Sequence, residues 1–151
     1  AVVAELQHGR GAGLDAHLVL DAHAVHVVAG AQAAIRTHHE LGHDEGDKGI
    51  CSVAETLLKE VRSTDFVSRV GGEEFAVIMP HTTLEEAEVV LNRLRVAVQL
   101  RSDRAITVSA GYSDLTSDRT RTYKCADIAL YESKSAGRNC VSLCHSFDDI
   151  A

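Results

Sequence analysis

Apolar residues recur at different intervals along the chain, and each interval predicts an element. In SVAETLLKEVR (52–62), Val53, Leu57, Leu58 and Val61 fall at helical spacing with Glu55 and Lys59 as an i,i+4 pair, which predicts an amphipathic helix. DFVSRV (65–70) and EEFAVIM (73–79) are β-rich runs on either side of Gly71 and Gly72, which predicts a hairpin, because both glycines accept positive φ. Thr82 and Thr83 offer N-caps to LEEAEVVLNRLRVAVQL (84–100), and Glu85 and Glu86 in its first turn complement the helix dipole, so a long helix is expected. AITVSAGYS (105–113) reads as a strand, CADIALYESKSAG (125–137) as a helix stopped by Gly137, and NCVSL (139–143) as a last strand.

The first 41 residues follow a different pattern, rich in Ala, Gly and His. HLVLD (17–21) reads as a short buried strand and residues 22–41 as a helix, interrupted by Gly30 at a cost of roughly 1 kcal/mol relative to Ala. The resulting order of elements predicts an α+β fold, a central, mostly antiparallel sheet with helices packed on it.

Length and charge narrow the class. With 151 residues the chain is expected to form one domain over 1–151, of which 1–41 is an atypical N-terminal part. A formal charge of −7 and the lack of a Lys/Arg stripe argue against binding a DNA or RNA polymer, because nothing would displace counterions from a phosphate backbone. Apolar runs stay well short of the roughly 20 residues a membrane span needs, so neither membrane contact nor export is expected. Cys51, Cys125, Cys140 and Cys144 form no C-x-x-C pair, which predicts free thiols in a reducing cytoplasm, with Cys140, Cys144 and His145 a weak metal candidate.

The stretch with the most chemistry is SRVGGEEFAVIMP (68–80), where two carboxylates follow two glycines at the hairpin tip. A solvated turn explains such charge without function. A functional reading is that Gly71 and Gly72 let a phosphate approach the backbone while Glu73 or Glu74 supplies an oxygen ligand to Mg²⁺.

The neighbouring segments favour the second reading. Gly71 to Phe75, GGEEF, resembles the signature of the GGDEF family, the diguanylate cyclases. Arg62 to Asp65 (RSTD) is similar to the family's RxxD motif, GHDEGD (42–47) to its GHxxGD segment, SAGYS (109–113) to its SxGxS strand, and ADIALYESKSAGRN (126–139) to its ADxALYxAKxxGRN helix. The likeness covers about two-thirds of the chain in order. It implies a nucleotidyl-cyclase-like domain that condenses two GTP into cyclic di-GMP and pyrophosphate, each domain of a homodimer holding one GTP. It also implies that Glu73 and Glu74 hold Mg²⁺ or Mn²⁺ and serve the chemistry with Gly71 and Gly72. Asp47 would read guanine, Lys134 and Arg138, four apart on one helix face, would meet phosphates, and Arg62, Asp65 and Arg93 would form an inhibitory product site.

The chain departs from the family before GHDEGD. Members carry a D-x-D-x-F-K-x-x-N-D segment there, supplying a metal-binding Asp and a guanine-reading Asn. An ungapped register from Gly42 puts Gly30 in place of that Asp and His38 in place of that Asn, whereas a second register, resting on HLVLD, puts Asp21 at the metal position. A degenerate domain that binds cyclic di-GMP or GTP without turnover is therefore the alternative. A remote one is a zinc peptidase, since HELGH (39–43) matches H-E-x-x-H with Glu40 as general base, although the extended pattern's third His is replaced by Gly49.

Overall fold

The computed structural model describes residues 27–35, 42–102, 105–116 and 118–144. Its elements run β1 (Val27–Ile35), α1 (Gly42–Glu60), β2 (Phe66–Arg69), β3 (Glu74–Met79), α2 (Leu84–Arg101), β4 (Ile106–Asp114), α3 (Arg119–Ser135) and β5 (Val141–Leu143). The sheet order is β2-β3-β1-β4-β5, with antiparallel pairing throughout except for the parallel pair β4–β5. The α+β expectation holds, and the sheet is mostly antiparallel.

The two faces of the sheet bury different residues. Val27, Ala29, Ala31 and Ala33 of β1, Phe75, Val77 and Met79 of β3, and Ile106, Val108, Ala110 and Tyr112 of β4 form the main core with α1 and α2. Helix α1 contributes Ile50, Val53, Ala54 and Leu57, an i, i+3, i+4, i+7 stripe, and a buried side chain of the size of Phe75 or Leu57 is worth about 1.5–3 kcal/mol. Helix α2 starts at a capping box: Thr83 Oγ1 accepts from the Glu86 amide at 3.2 Å and Glu86 Oε2 from the Thr83 amide at 3.0 Å, which contributes about 1 kcal/mol.

The opposite face carries α3 and is lined with small residues. Ser109, Gly111 and Ser113 alternate along β4, and a Cβ added at Gly111 would lie 2.0 Å from the Leu130 amide nitrogen and 2.5 Å from the Ala126 carbonyl oxygen. The helix backbone rests directly on the strand, so only glycine fits. Ser109 Oγ accepts from the Asn139 amide at 3.1 Å and Ser133 Oγ donates to the Ala110 carbonyl at 2.7 Å, which fixes the far end of α3.

Two expectations are corrected here, and a third is refined. Residues 27–35 form the central strand rather than part of a helix. Their Ala content suggests helix by intrinsic propensity, but the alternating burial of Val27, Ala29, Ala31 and Ala33 between two strands decides otherwise. The expected β2–β3 hairpin is present, joined by residues 70–73 without use of positive φ, which among the described glycines is found only at Gly137, at 109°. Cys125 and Cys144 form a disulfide, tying α3 to the end of β5, while Cys51 and Cys140 are free. The pairing arises because β5 returns alongside α3, which no local spacing reveals, and it removes Cys144 from the metal candidate with Cys140; His145 lies outside the described residues.

Candidate active site

Glu74 opens β3 at the hairpin tip, where its place is fixed by pairing with Gln32 of β1. Around it the turn is closed by its own backbone: the Val70 and Gly71 amides donate to the Glu74 carbonyl at 2.9 and 3.3 Å, and the Ala33 amide donates to the Glu73 carbonyl at 3.0 Å. Arg69 closes the other side, its Nε donating to the Gly71 and Gly72 carbonyls at 3.1 Å each and its Nη2 to Gly72 at 2.7 Å. A Cβ at Gly71 would sit 2.9 Å from Glu74 Oε2, whereas one at Gly72 would meet nothing. Space gives no reason for glycine at 72, and at 71 only the end of the exposed Glu74 side chain is in the way. Both glutamates are exposed.

Alternation on β3 turns Glu74, with Ala76 and Ile78, toward the face that carries α3. There Lys134 Nζ donates to Gln32 Oε1 at 2.7 Å. Asp127, two turns before Lys134, completes the group: burial first, then the Glu74 charge, pushes its carboxyl above the ordinary range, and Lys134 opposes the shift. Lys134 and Gln32 are thus in direct contact, Gln32 is paired with Glu74 across the strands, and the Asp127 carboxyl feels the charges of both Glu74 and Lys134. Sequence reading missed Gln32 and Asp127, although Asp127 stands i,i+7 from Lys134 on a recognised helix.

Arg138 is not on the helix face expected for it. Helix α3 ends at Ser135, Gly137 takes the left-handed conformation, and the Arg138 amide donates to the Ser133 carbonyl at 3.1 Å, a Schellman-type closure. Arg138 and Asn139 continue in left-handed backbone at φ 64° and 49°, so Arg138 is exposed at a turn and aimed by the backbone rather than by helical periodicity. Asp47 is exposed on α1, in the layer opposite α3. Gly30 pairs with Ala76 and Gly111 in the middle of β1, two residues before Gln32. His38 and Asp21 lie outside the described residues.

The RSTD turn forms a second centre beside α2. Arg62 Nη2 reaches Asp65 Oδ1 at 3.1 Å and also bonds Thr82 Oγ1, while the Arg62 amide donates to Asp65 Oδ2 at 2.9 Å. Arg93 Nη2 donates to the Glu60 carbonyl at 2.7 Å, and its Nε lies 3.5 Å from Glu60 Oε2. Both arginines gather at the C-terminal end of α1.

Among the described residues no three His, Cys, Asp or Glu side chains form a metal-holding group. The carboxylates of Glu73 and Glu74, adjacent and exposed at the hairpin tip, have the donor chemistry of a hard divalent cation of the Mg²⁺ kind, which takes one or two carboxylates and completes its shell with phosphates and water. No helix among the described residues is long and apolar enough to cross a membrane.

Comparison with known proteins agrees with this geometry. The family model "Diguanylate cyclase, GGDEF domain" matches residues 36–140. Diguanylate cyclase DgcP of Pseudomonas aeruginosa is 38% identical over 112 residues, covering 69% of this chain; the chain spans only 17% of that relative's length. The GGDEF domain of DgcB from Caulobacter crescentus, solved in complex with c-di-GMP, superposes with a TM-score of 0.73 at 31% identity, covering 81% of this chain and 79% of that one. The active GGEEF domain of a diguanylate cyclase from Vibrio cholerae gives a TM-score of 0.74 at 26% identity, covering 82% and 85%. With a match over 36–140 that contains the hairpin, the RSTD turn and helix α3, the chain belongs to the GGDEF family of diguanylate cyclases.

Proposed function

We propose that this domain condenses two molecules of GTP into cyclic di-GMP and pyrophosphate, each of two facing copies holding one nucleotide. The observation that carries the reading is the placing of Lys134, through Gln32, on the strand position paired with Glu74 beside the exposed glycine turn. Gly72 gives a phosphate room to approach the backbone, and Lys134 and the exposed Arg138 supply positive charge for its oxygens. Glu73 and Glu74 hold Mg²⁺ or Mn²⁺, which supplies charge neutralisation on the triphosphate. Asp47 reads the guanine edge. The reaction joins a 3′-oxygen to the partner nucleotide's α-phosphorus as the bond to pyrophosphate breaks, and the hydroxyl proton passes to a hairpin glutamate. Product binds back through Arg62, Asp65 and Arg93, and the domain works in the cytoplasm, where GTP is available.

Gly30 favours a second reading, since β1 offers no carboxylate at that position on the α3 face. In that case the domain binds cyclic di-GMP or GTP without turnover. Incubation with GTP and Mg²⁺, following cyclic di-GMP and pyrophosphate, separates the two. Product that disappears in Glu74→Gln supports the cyclase; no product together with retained cyclic di-GMP binding supports the receptor.

A further inference from the structure

We propose that Gln32 is a positioning residue for Lys134, holding the ammonium near the start of β3 without itself offsetting the positive charge that a nucleotide's phosphates would meet. This deepens the nucleotide reading and rests on it.

The two side chains are 102 residues apart in sequence and meet at 2.7 Å across the helix–sheet interface, both of them half-buried. Gln32 stands directly opposite Glu74 on one side and Ser109 on the other, so it sits at the middle of the sheet where α3 crosses. Gly30, the preceding residue on that face, adds no side chain, and Leu130 Cδ2 lies 3.7 Å from where its Cβ would be. That leaves Gln32 as the polar side chain that β1 sends toward Lys134.

The choice of an amide has an electrostatic consequence. A lysine side chain carries about 2 kcal/mol of rotamer entropy, and an unanchored ammonium spreads over many positions. The amide oxygen fixes one of its three N–H directions without offsetting its charge. A carboxylate of equal length would grip the ammonium at least as well and cancel the charge that an anionic ligand needs. Glu74 and Asp127 already place negative charge around this group, which makes a neutral anchor the more valuable.

The test measures binding of guanosine 5′-α,β-methylenetriphosphate in EDTA, so that no metal contributes, to the wild type, Gln32→Leu, Gln32→Glu, Lys134→Met and the Gln32→Leu/Lys134→Met pair. Loss of one hydrogen bond's positioning predicts a Kd raised about threefold to tenfold in Gln32→Leu. Gln32→Glu keeps the anchor and weakens binding as well, and Gln32→Leu has no further effect once Lys134 is Met. Wild-type affinity in Gln32→Leu, or an effect that survives in the Lys134→Met background, overturns the role. The ¹⁵N ammonium resonance of Lys134 gives an independent readout: slow exchange in the wild type and its loss in Gln32→Leu show the anchor itself. If that signal behaves as expected but the wild type binds no analogue, the anchor stands and the nucleotide reading falls. If the signal is unchanged in Gln32→Leu, the anchor falls.

Discussion

Asp65 grips the guanidinium of Arg62 at two points, Nε at 3.3 Å from Oδ2 and Nη2 at 3.1 Å from Oδ1, with its own side chain fully buried and the arginine 42% exposed. The pair is therefore structural as well as a candidate for ligand binding. Removing Arg62 leaves a buried carboxylate without its partner, and Arg62→Ala is expected to cost roughly 2–3 kcal/mol, discounted for the arginine's exposure. Arg93→Ala removes an exposed side chain and is expected to stay within about 0.5 kcal/mol. Urea denaturation checks both values. Arg93→Ala is then the cleaner probe of product inhibition: a weaker effect of cyclic di-GMP on initial rates, with unchanged stability, places the product at this end of α1.

Gly30 is the position at which β1 can be given a carboxylate. A Cβ there would meet only Leu130 Cδ2, at an ordinary 3.7 Å, and the neighbouring strand residues are Ala76 and Gly111. Gly30→Asp is expected to fold and to lower the Mg²⁺ concentration giving half-maximal product formation by about tenfold, the effect of one added oxygen ligand near Glu74. A metal titration of activity in the two proteins measures it. An unchanged midpoint excludes position 30 from the metal's surroundings.

Asp127 sets a pH dependence. Its carboxyl titrates above its ordinary value, chiefly through burial and secondly through Glu74. The folded state thus holds this proton to higher pH than the unfolded chain, so the penalty is absent in acid and grows as pH rises through the raised value. Asp127→Asn should raise Tm near pH 7 by no more than about 2 °C, because the residue is exposed and screened, and should leave it unchanged near pH 3. Thermal melts at the two pH values give the sign directly.

The Cys125–Cys144 bond closes a segment with a sequence separation of 19. Cross-linking a loop of this length contributes about 3 kcal/mol by restricting the unfolded chain. Reduction with dithiothreitol should lower Tm by roughly 6–12 °C. Cyclase activity at 25 °C should survive, since Lys134 is held independently by Gln32. Parallel melts and initial rates, with and without reductant, test both halves.

Much of this fold was legible wherever the chain's local preference agreed with its surroundings. Thr83 and Glu86 announce the start of α2, Gly137 the end of α3, and the two apolar runs around Gly71 the β2–β3 pair. Strand β1 was misread because Ala29, Ala31 and Ala33 favour helix in isolation, and only their enclosure between β3 and β4 makes them strand. The hairpin glutamates and Lys134 were found by motif. Gln32 and Asp127 were not, because their chemistry depends on α3 crossing the sheet, a relationship set by packing at Gly111 rather than by spacing along the chain. Arg138 shows the same limit in reverse: an i,i+4 distance counts as one helix face only if the helix continues, and here it stops three residues earlier.

The seat of α3 on Gly111 also bears on how such a domain can be controlled. With helix backbone touching strand backbone, the stretch of α3 that carries Asp127 and Lys134 cannot shift over the sheet unless the helix lifts and exposes the cluster around Ile78 and Ala126. Each copy thus behaves as a fixed half of a mould. In the proposed two-copy reaction, control would therefore act on the orientation and frequency with which two such surfaces meet rather than on the shape of either.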